Sequence, residues 1–61
     1  MLYIVELNYS FGAKECLWTH DWNDVVKIVN EQFSLTMGKA DYISIKMKNG
    51  NKTLLYAEVR P

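Results

Sequence analysis

A single cysteine, Cys16, in 61 residues rules out an internal disulfide, and with His20 as the lone histidine it leaves a zinc site two ligands short. A reducing cytosol is therefore the expected compartment. No stretch is long or apolar enough to cross a membrane. The residues after Met1 alternate like a strand and include Glu6 and Asn8, with no basic n-region, apolar run or cleavage pattern, so no leader is expected. The three glycines, Gly12, Gly38 and Gly50, are isolated and suit turns, which excludes a phosphate-cradling loop. A surplus of charge of one sign is also missing. Seven Lys and Arg balance seven Asp and Glu, whereas a generic nucleic-acid binder needs excess cations to displace counterions from phosphates. Nucleic acid is accordingly not the expected partner.

What is present is enough chain for one domain, 1–61, near the lower size limit for folding without disulfide or metal. Oligomerisation is one of the few remedies open to so small a core. Charge is unevenly placed along the chain. Residues 1–31 hold Glu6, Glu15, Asp21, Asp24 and Glu31 against Lys14 and Lys27, while residues 32–61 hold Lys39, Lys46, Lys48, Lys52 and Arg60 against Asp41 and Glu58. Such asymmetry can orient a partner.

Two tight-turn signals organise the pattern. Gly12-Ala13 suits a type II′ turn and Asn49-Gly50 a type I′ turn, because both tolerate positive φ and match strand twist. In the first strand, 2–11, Tyr3, Val5, Leu7, Tyr9 and Phe11 alternate with Glu6, Asn8 and Ser10, a period of two. A Gly12-Ala13 loop then sets Tyr9 against Cys16, Leu7 against Trp18 and Val5 near His20 on a core side. Over 21–33 the period becomes 3.6 residues: Trp22, Val25, Val26, Val29 and Phe33 share one stripe of a helix. Asp21 is the expected N-cap, with Thr19 or His20 as other starts, and Asp24 adds a second acid at the positive end of the helix dipole. Three valines and an isoleucine make this helix dependent on packing. Residues 34–40 read as a loop whose Leu35 and Met37 need a pocket or a partner. Strands follow at 41–48 and 51–59. With Asn49-Gly50 as the turn, Met47, Ile45 and Ile43 meet Lys52, Leu54 and Tyr56 as a second apolar face, and Tyr42, Ser44 and Lys46 meet Ala57, Leu55 and Thr53 behind it. The expected fold is α+β: an antiparallel sheet of two β-hairpins in ββαββ order, with one helix packed on one face.

Nothing in this pattern assembles catalysis or a cofactor site. Cys16 and His20 lack a group to orient the base of a nucleophilic pair, and the inferred register places the thiol on the core face as a buried structural residue. Asp21 and Asp24 are accounted for by capping and dipole compensation. Lys46, Lys48 and Lys52 cluster at the second hairpin; solvated charge there discourages sheet-to-sheet aggregation, and it also offers a small nucleic-acid or regulatory contact as an alternative function. Of the aromatics that could stack bases, Tyr3, Tyr9, Phe11 and Trp18, most share the face assigned to the helix. Leu2, Ile4, Leu17, Ile28, Leu35, Met37, Tyr42 and Leu55 remain without a place in the core, which points to self-association or a protein partner.

The run of Tyr3 to Leu7, Gly12 to Lys14, Leu17-Trp18, Asp21-Trp22 and Ala40-Asp41-Tyr42-Ile43-Ser44-Ile45-Lys46-Met47 resembles the small phage-encoded uracil-DNA glycosylase inhibitors that act as homodimers. The similarity spans about three quarters of the chain through short motifs. It implies a non-enzymatic inhibitor in the host cytoplasm, a homodimer that mimics DNA. Its carboxylates, here Glu6, Glu15, Asp21 and Asp24, would stand in for phosphates, and Trp22 and Val26 would help form the dimer or a pocket for an apolar side chain of the enzyme. The residues themselves supply no cofactor or metal constellation, so neither is expected. This chain departs from the family in being neutral rather than acidic, and its second hairpin, from Thr53 to Arg60, extends past the matched part.

Overall fold

The computed structural model describes residues 1–34 and 40–60. The strands are β1 (Leu2–Asn8), β2 (Lys14–Thr19), β3 (Tyr42–Asn49) and β4 (Lys52–Val59), with α1 (Trp22–Gln32) between the hairpins. They form one antiparallel sheet in the order β2-β1-β3-β4. This is the α+β, ββαββ arrangement expected from the sequence, with β1 and β3 as the central strands. The expectations for Leu35, Met37 and Gly38 lie outside the described residues.

Alternation along β1 sends Tyr3, Val5 and Leu7 to the helix side, opposite Met47, Ile45 and Ile43 of β3. Val5, Leu7, Ile43 and Ile45 are buried with Val25 of the helix and Ala40, and Tyr3, Leu17, Ile28, Val29, Phe33 and Val59 pack around them. Burial of this cluster supplies the main driving force for a chain with no cross-link.

Both hairpins differ from the sequence expectation in register, the first by three residues throughout and the second by two at its turn and three beyond an irregularity. The first loop is Ser10-Phe11-Gly12 rather than Gly12-Ala13. Gly12 N donates to Tyr9 O at 3.0 Å and Tyr9 N to Ala13 O at 3.0 Å, with Gly12 at φ 90. This is the three-residue hairpin in which glycine supplies a left-handed bulge. It moves the partner of Leu7 from Trp18 to Glu15, that of Val5 to Leu17 and that of Tyr3 to Thr19. A three-residue shift is odd, so it reverses the faces of β2. Cys16 is exposed instead of buried, Trp18 points away from the helix and is 70% exposed, and Phe11 sits in the turn at 79% exposure. Leu17, in exchange, lies beneath the helix.

The second loop is Gly50-Asn51 rather than Asn49-Gly50, because Asn49 pairs with Lys52. Gly50 has φ 62 and Asn51 stays at negative φ, the sign pattern of a type II′ turn and not type I′. An irregularity beside Met47 and Lys48 then leaves Leu54 as an extra residue in β4. Leu55, Ala57 and Val59 consequently oppose Met47, Ile45 and Ile43 on the helix side, and Tyr56 opposes Lys46 on the outer side. Expecting Leu54 and Tyr56 on the core face was wrong for this reason.

Candidate functional site

The helix starts where the sequence placed it. Asp21 is the N-cap, its carboxylate accepting from Asn23 N at 2.9 Å. Thr19, at the end of β2, fastens the connection: its hydroxyl donates to Asp24 Oδ2 at 2.6 Å and accepts from Asp21 N at 3.1 Å. Held in this way, α1 lies over β1 and β2. The helix-facing side of β3 and β4 is left partly uncovered.

That offset opens a groove of about 270 Å³ between α1 and β4, lined by Trp22, Val25, Val26, Val29, Asn30, Ile45, Ala57 and Val59. Asn30 is its single polar side chain. Trp22 forms one end, with its ring edge-on to Tyr3 at 5.4 Å between centroids, and Val26, 42% exposed, forms the rim. On the other flank of the helix a hollow of about 380 Å³ lies against Leu17, Trp18, Thr19, Asp24, Lys27, Ile28 and Glu31. Its charged rim makes it a poorer trap for an apolar group. Water held against the hydrocarbon of the first groove is released when an apolar side chain enters, so that groove is suited to capturing one.

Of the six candidate residues, the structure brings Trp22 and Val26 together in this groove and distributes the carboxylates. Asp21 and Asp24 are exposed at the start of the helix, beside Trp22 in the chain. Glu15 lies on the helix side of β2 and accepts a hydrogen bond from the Tyr9 hydroxyl at 3.4 Å. Loss of solvent around the Tyr9 phenol, reinforced by the charge and hydrogen bond of Glu15, raises its pKa above the ordinary 10.0. Glu6 points to the opposite face of the sheet, 3.6 Å from Lys14 Nζ. Ala57 and Val59 also line the groove; the expected register puts Ala57 on the outer face and leaves Val59 unpaired, and the extra residue at Leu54 is what brings both to the helix side. The Gly50-Asn51 turn alone moves the register by two and leaves the faces unchanged; the alternation Leu55, Ala57, Val59 taken with a bulge at Leu54 is the pattern that brings these residues inward.

Comparison with protein-family models, curated proteins and solved structures finds no match to this chain. The groove's chemistry must therefore be read from its own residues. His20 Nδ1 lies 2.9 Å from Met1 O, whereas the Cys16 sulfur accepts from Trp18 Nε1 at 3.2 Å. The two groups that could have formed a nucleophilic pair thus have other partners. Among the described residues no cluster of His, Cys, Asp and Glu could hold a metal ion, and no helix is long and apolar enough to cross a membrane.

Proposed function

We propose that this chain is a non-enzymatic protein-binding inhibitor that acts as a homodimeric DNA mimic on a DNA-processing enzyme, with uracil-DNA glycosylase as the target the sequence resemblance names. The observation that carries the reading is the apolar groove, which places Trp22 and Val26 on one preformed surface next to the carboxylates of the helix start. In this reading the groove buries a protruding apolar side chain of the enzyme, and Asp21 and Asp24 occupy positions that phosphates would take. Both carboxylates keep lone pairs beyond the bonds they accept, Asp21 from Asn23 N and Asp24 from the Thr19 hydroxyl. Glu15 contributes from the same side of the sheet. Glu6, on the opposite face and beside Lys14, acts only if the partner reaches around the edge of β2 or a second copy presents it. The small core and the uncovered flank of β4 support self-association, in the cytoplasm of the host cell.

The test is uracil excision from a labelled oligonucleotide by a bacterial glycosylase, with this protein titrated to stoichiometric excess. Inhibition is expected. Asp21→Asn with Asp24→Asn should slow association and flatten its salt dependence, since removing charge acts mainly on encounter. Trp22→Ala should speed dissociation, by about 2 kcal/mol or more if it is a hot spot. Sedimentation equilibrium at micromolar concentration is expected to give about twice the monomer mass. Undiminished excision at excess would remove the glycosylase assignment.

A further inference from the structure

The outer face of the sheet, away from the groove, carries a second organised surface. Cross-strand pairing aligns Trp18, Ile4, Lys46 and Tyr56 in one row across all four strands. With strands about 4.8 Å apart, the two ends of that row are separated by roughly 14 Å. Trp18 is 70% and Tyr56 53% exposed, so much of each residue meets solvent, and each is oriented by a neighbour on its own strand: Trp18 Nε1 donates to Cys16 Sγ at 3.2 Å and the Tyr56 hydroxyl to Glu58 Oε1 at 3.2 Å. Lys46 Nζ lies 5.9 Å from the Tyr56 ring centroid. A parallel row contains Lys14, Asn8 and Tyr42, and Arg60 lies over the Tyr42 ring at 4.6 Å.

Neutrality of the whole chain conceals how charge divides between faces. Lys14, Lys46, Lys48 and Arg60 belong to the outer face and meet two carboxylates there, Glu6 and Glu58. Those two are already engaged, Glu6 by Lys14 at 3.6 Å and Glu58 by Arg60 at 3.2 Å. Lys46 and Lys48 have no carboxylate partner among the described residues. The helix layer and the adjoining side of β2 hold the opposite excess, with Glu15, Asp21, Asp24 and Glu31 against Lys27. The neutral total charge therefore does not keep this face from binding phosphates.

We propose that the outer sheet face is a binding platform for single-stranded nucleic acid, independent of the groove. Trp18 and Tyr56 stack on bases, and Lys46 and Lys48 neutralise the phosphates that pass between them. A flat sheet suits an unpaired strand, whose bases can splay onto separate rings, whereas a duplex keeps its base faces stacked inside. Stacking is indifferent to base identity, so the platform takes oligonucleotides without marked sequence preference.

Fluorescence anisotropy of labelled dodecamer oligothymidylate and oligouridylate with the intact chain tests this. Both strands are expected to bind at low salt; a preference for one of them identifies which nucleic acid the platform favours and still supports it. With about two phosphates neutralised, affinity should fall roughly 25-fold for a tenfold rise in salt. Trp18→Ala and Tyr56→Ala should each weaken binding about fivefold or more, while Trp18→Phe retains most of it because a ring remains. Trp18 and Tyr56 lie outside the core, and circular dichroism checks that each variant keeps the fold. The proposal is overturned by no anisotropy change up to about 200 µM protein, beyond the weak end of ordinary non-specific binding. Equal affinity for duplex, equal affinity for poly-glutamate as an acidic-protein surrogate, or unchanged binding by the Trp18→Ala, Tyr56→Ala double variant overturns it equally.

Discussion

Val25 and Val26 are neighbours on one helix, and truncating each to alanine separates the core from the groove. Val25 is 1% exposed and Val26 is 42% exposed. Each truncation removes two carbon groups, at about 0.8 kcal/mol per fully buried group, so Val25→Ala loses about 1.6 kcal/mol of transfer free energy plus a cavity term. Alanine regains roughly 0.5 kcal/mol through its higher helix propensity. The net cost at Val25 is therefore about 2 kcal/mol. At Val26 only about half of the transfer term applies, and the same propensity gain reduces the net cost to roughly 0.4 kcal/mol. A domain of this size has about 3–9 kcal/mol of stability in total, so the first change should lower the melting temperature by roughly 10 °C and the second by only about 2 °C. Urea denaturation followed by circular dichroism measures both, with the slope of the transition checked for constancy. Binding should reverse the order: Val26→Ala, at the exposed rim of the groove, weakens partner capture per folded molecule more than Val25→Ala, whose side chain lies buried in the groove floor. Equal destabilisation by the two changes would falsify the placement of the helix over β1 and β2.

Gly12→Ala tests the first turn: no atom lies within 4 Å of the position a Cβ would take, but φ there is +90. The expected cost of about 1–2 kcal/mol is thus one of backbone conformation, and Gly12→Asn should cost less because asparagine tolerates the left-handed region; equal losses in denaturant midpoint would refute this. Tyr9→Phe tests the phenol raised by burial and Glu15. Below about pH 10 the phenol is protonated in both folded and unfolded chains and its contribution is complete; as pH rises toward the raised folded value, the unfolded chain releases its proton first and stability falls. The wild-type chain should therefore lose more stability than Tyr9→Phe between pH 8 and pH 11, and parallel losses in the two proteins would contradict the assignment.

The parts of this protein legible in the sequence are those governed by local periodicity and local capping. Alternation from Tyr3 to Leu7 and the helical stripe from Trp22 to Phe33 carry their own period, and Asp21 satisfies helix amides two residues away. Element order and the α+β class follow from these. Trp22 and Val26 could be nominated because they lie on that stripe, and the structure places both in the groove. Strand register depended on something else. Gly12 and Gly50 each permit positive φ, but the sequence is compatible with another loop length at the first and another turn position at the second, and an odd net displacement, three residues at the first loop and two plus the extra Leu54 at the second, exchanges the two faces of a strand. Tertiary packing decides between these options: Leu17 goes beneath the helix, Thr19 reaches Asp24, and Ala57 and Val59 complete the uncovered flank. Trp18, Cys16 and Tyr56 are consequently sent outward. Only the folded sheet aligns Trp18, Ile4, Lys46 and Tyr56 across four strands, and only the fold separates basic from acidic side chains in a chain whose charges sum to zero, because both are relations between residues distant in sequence.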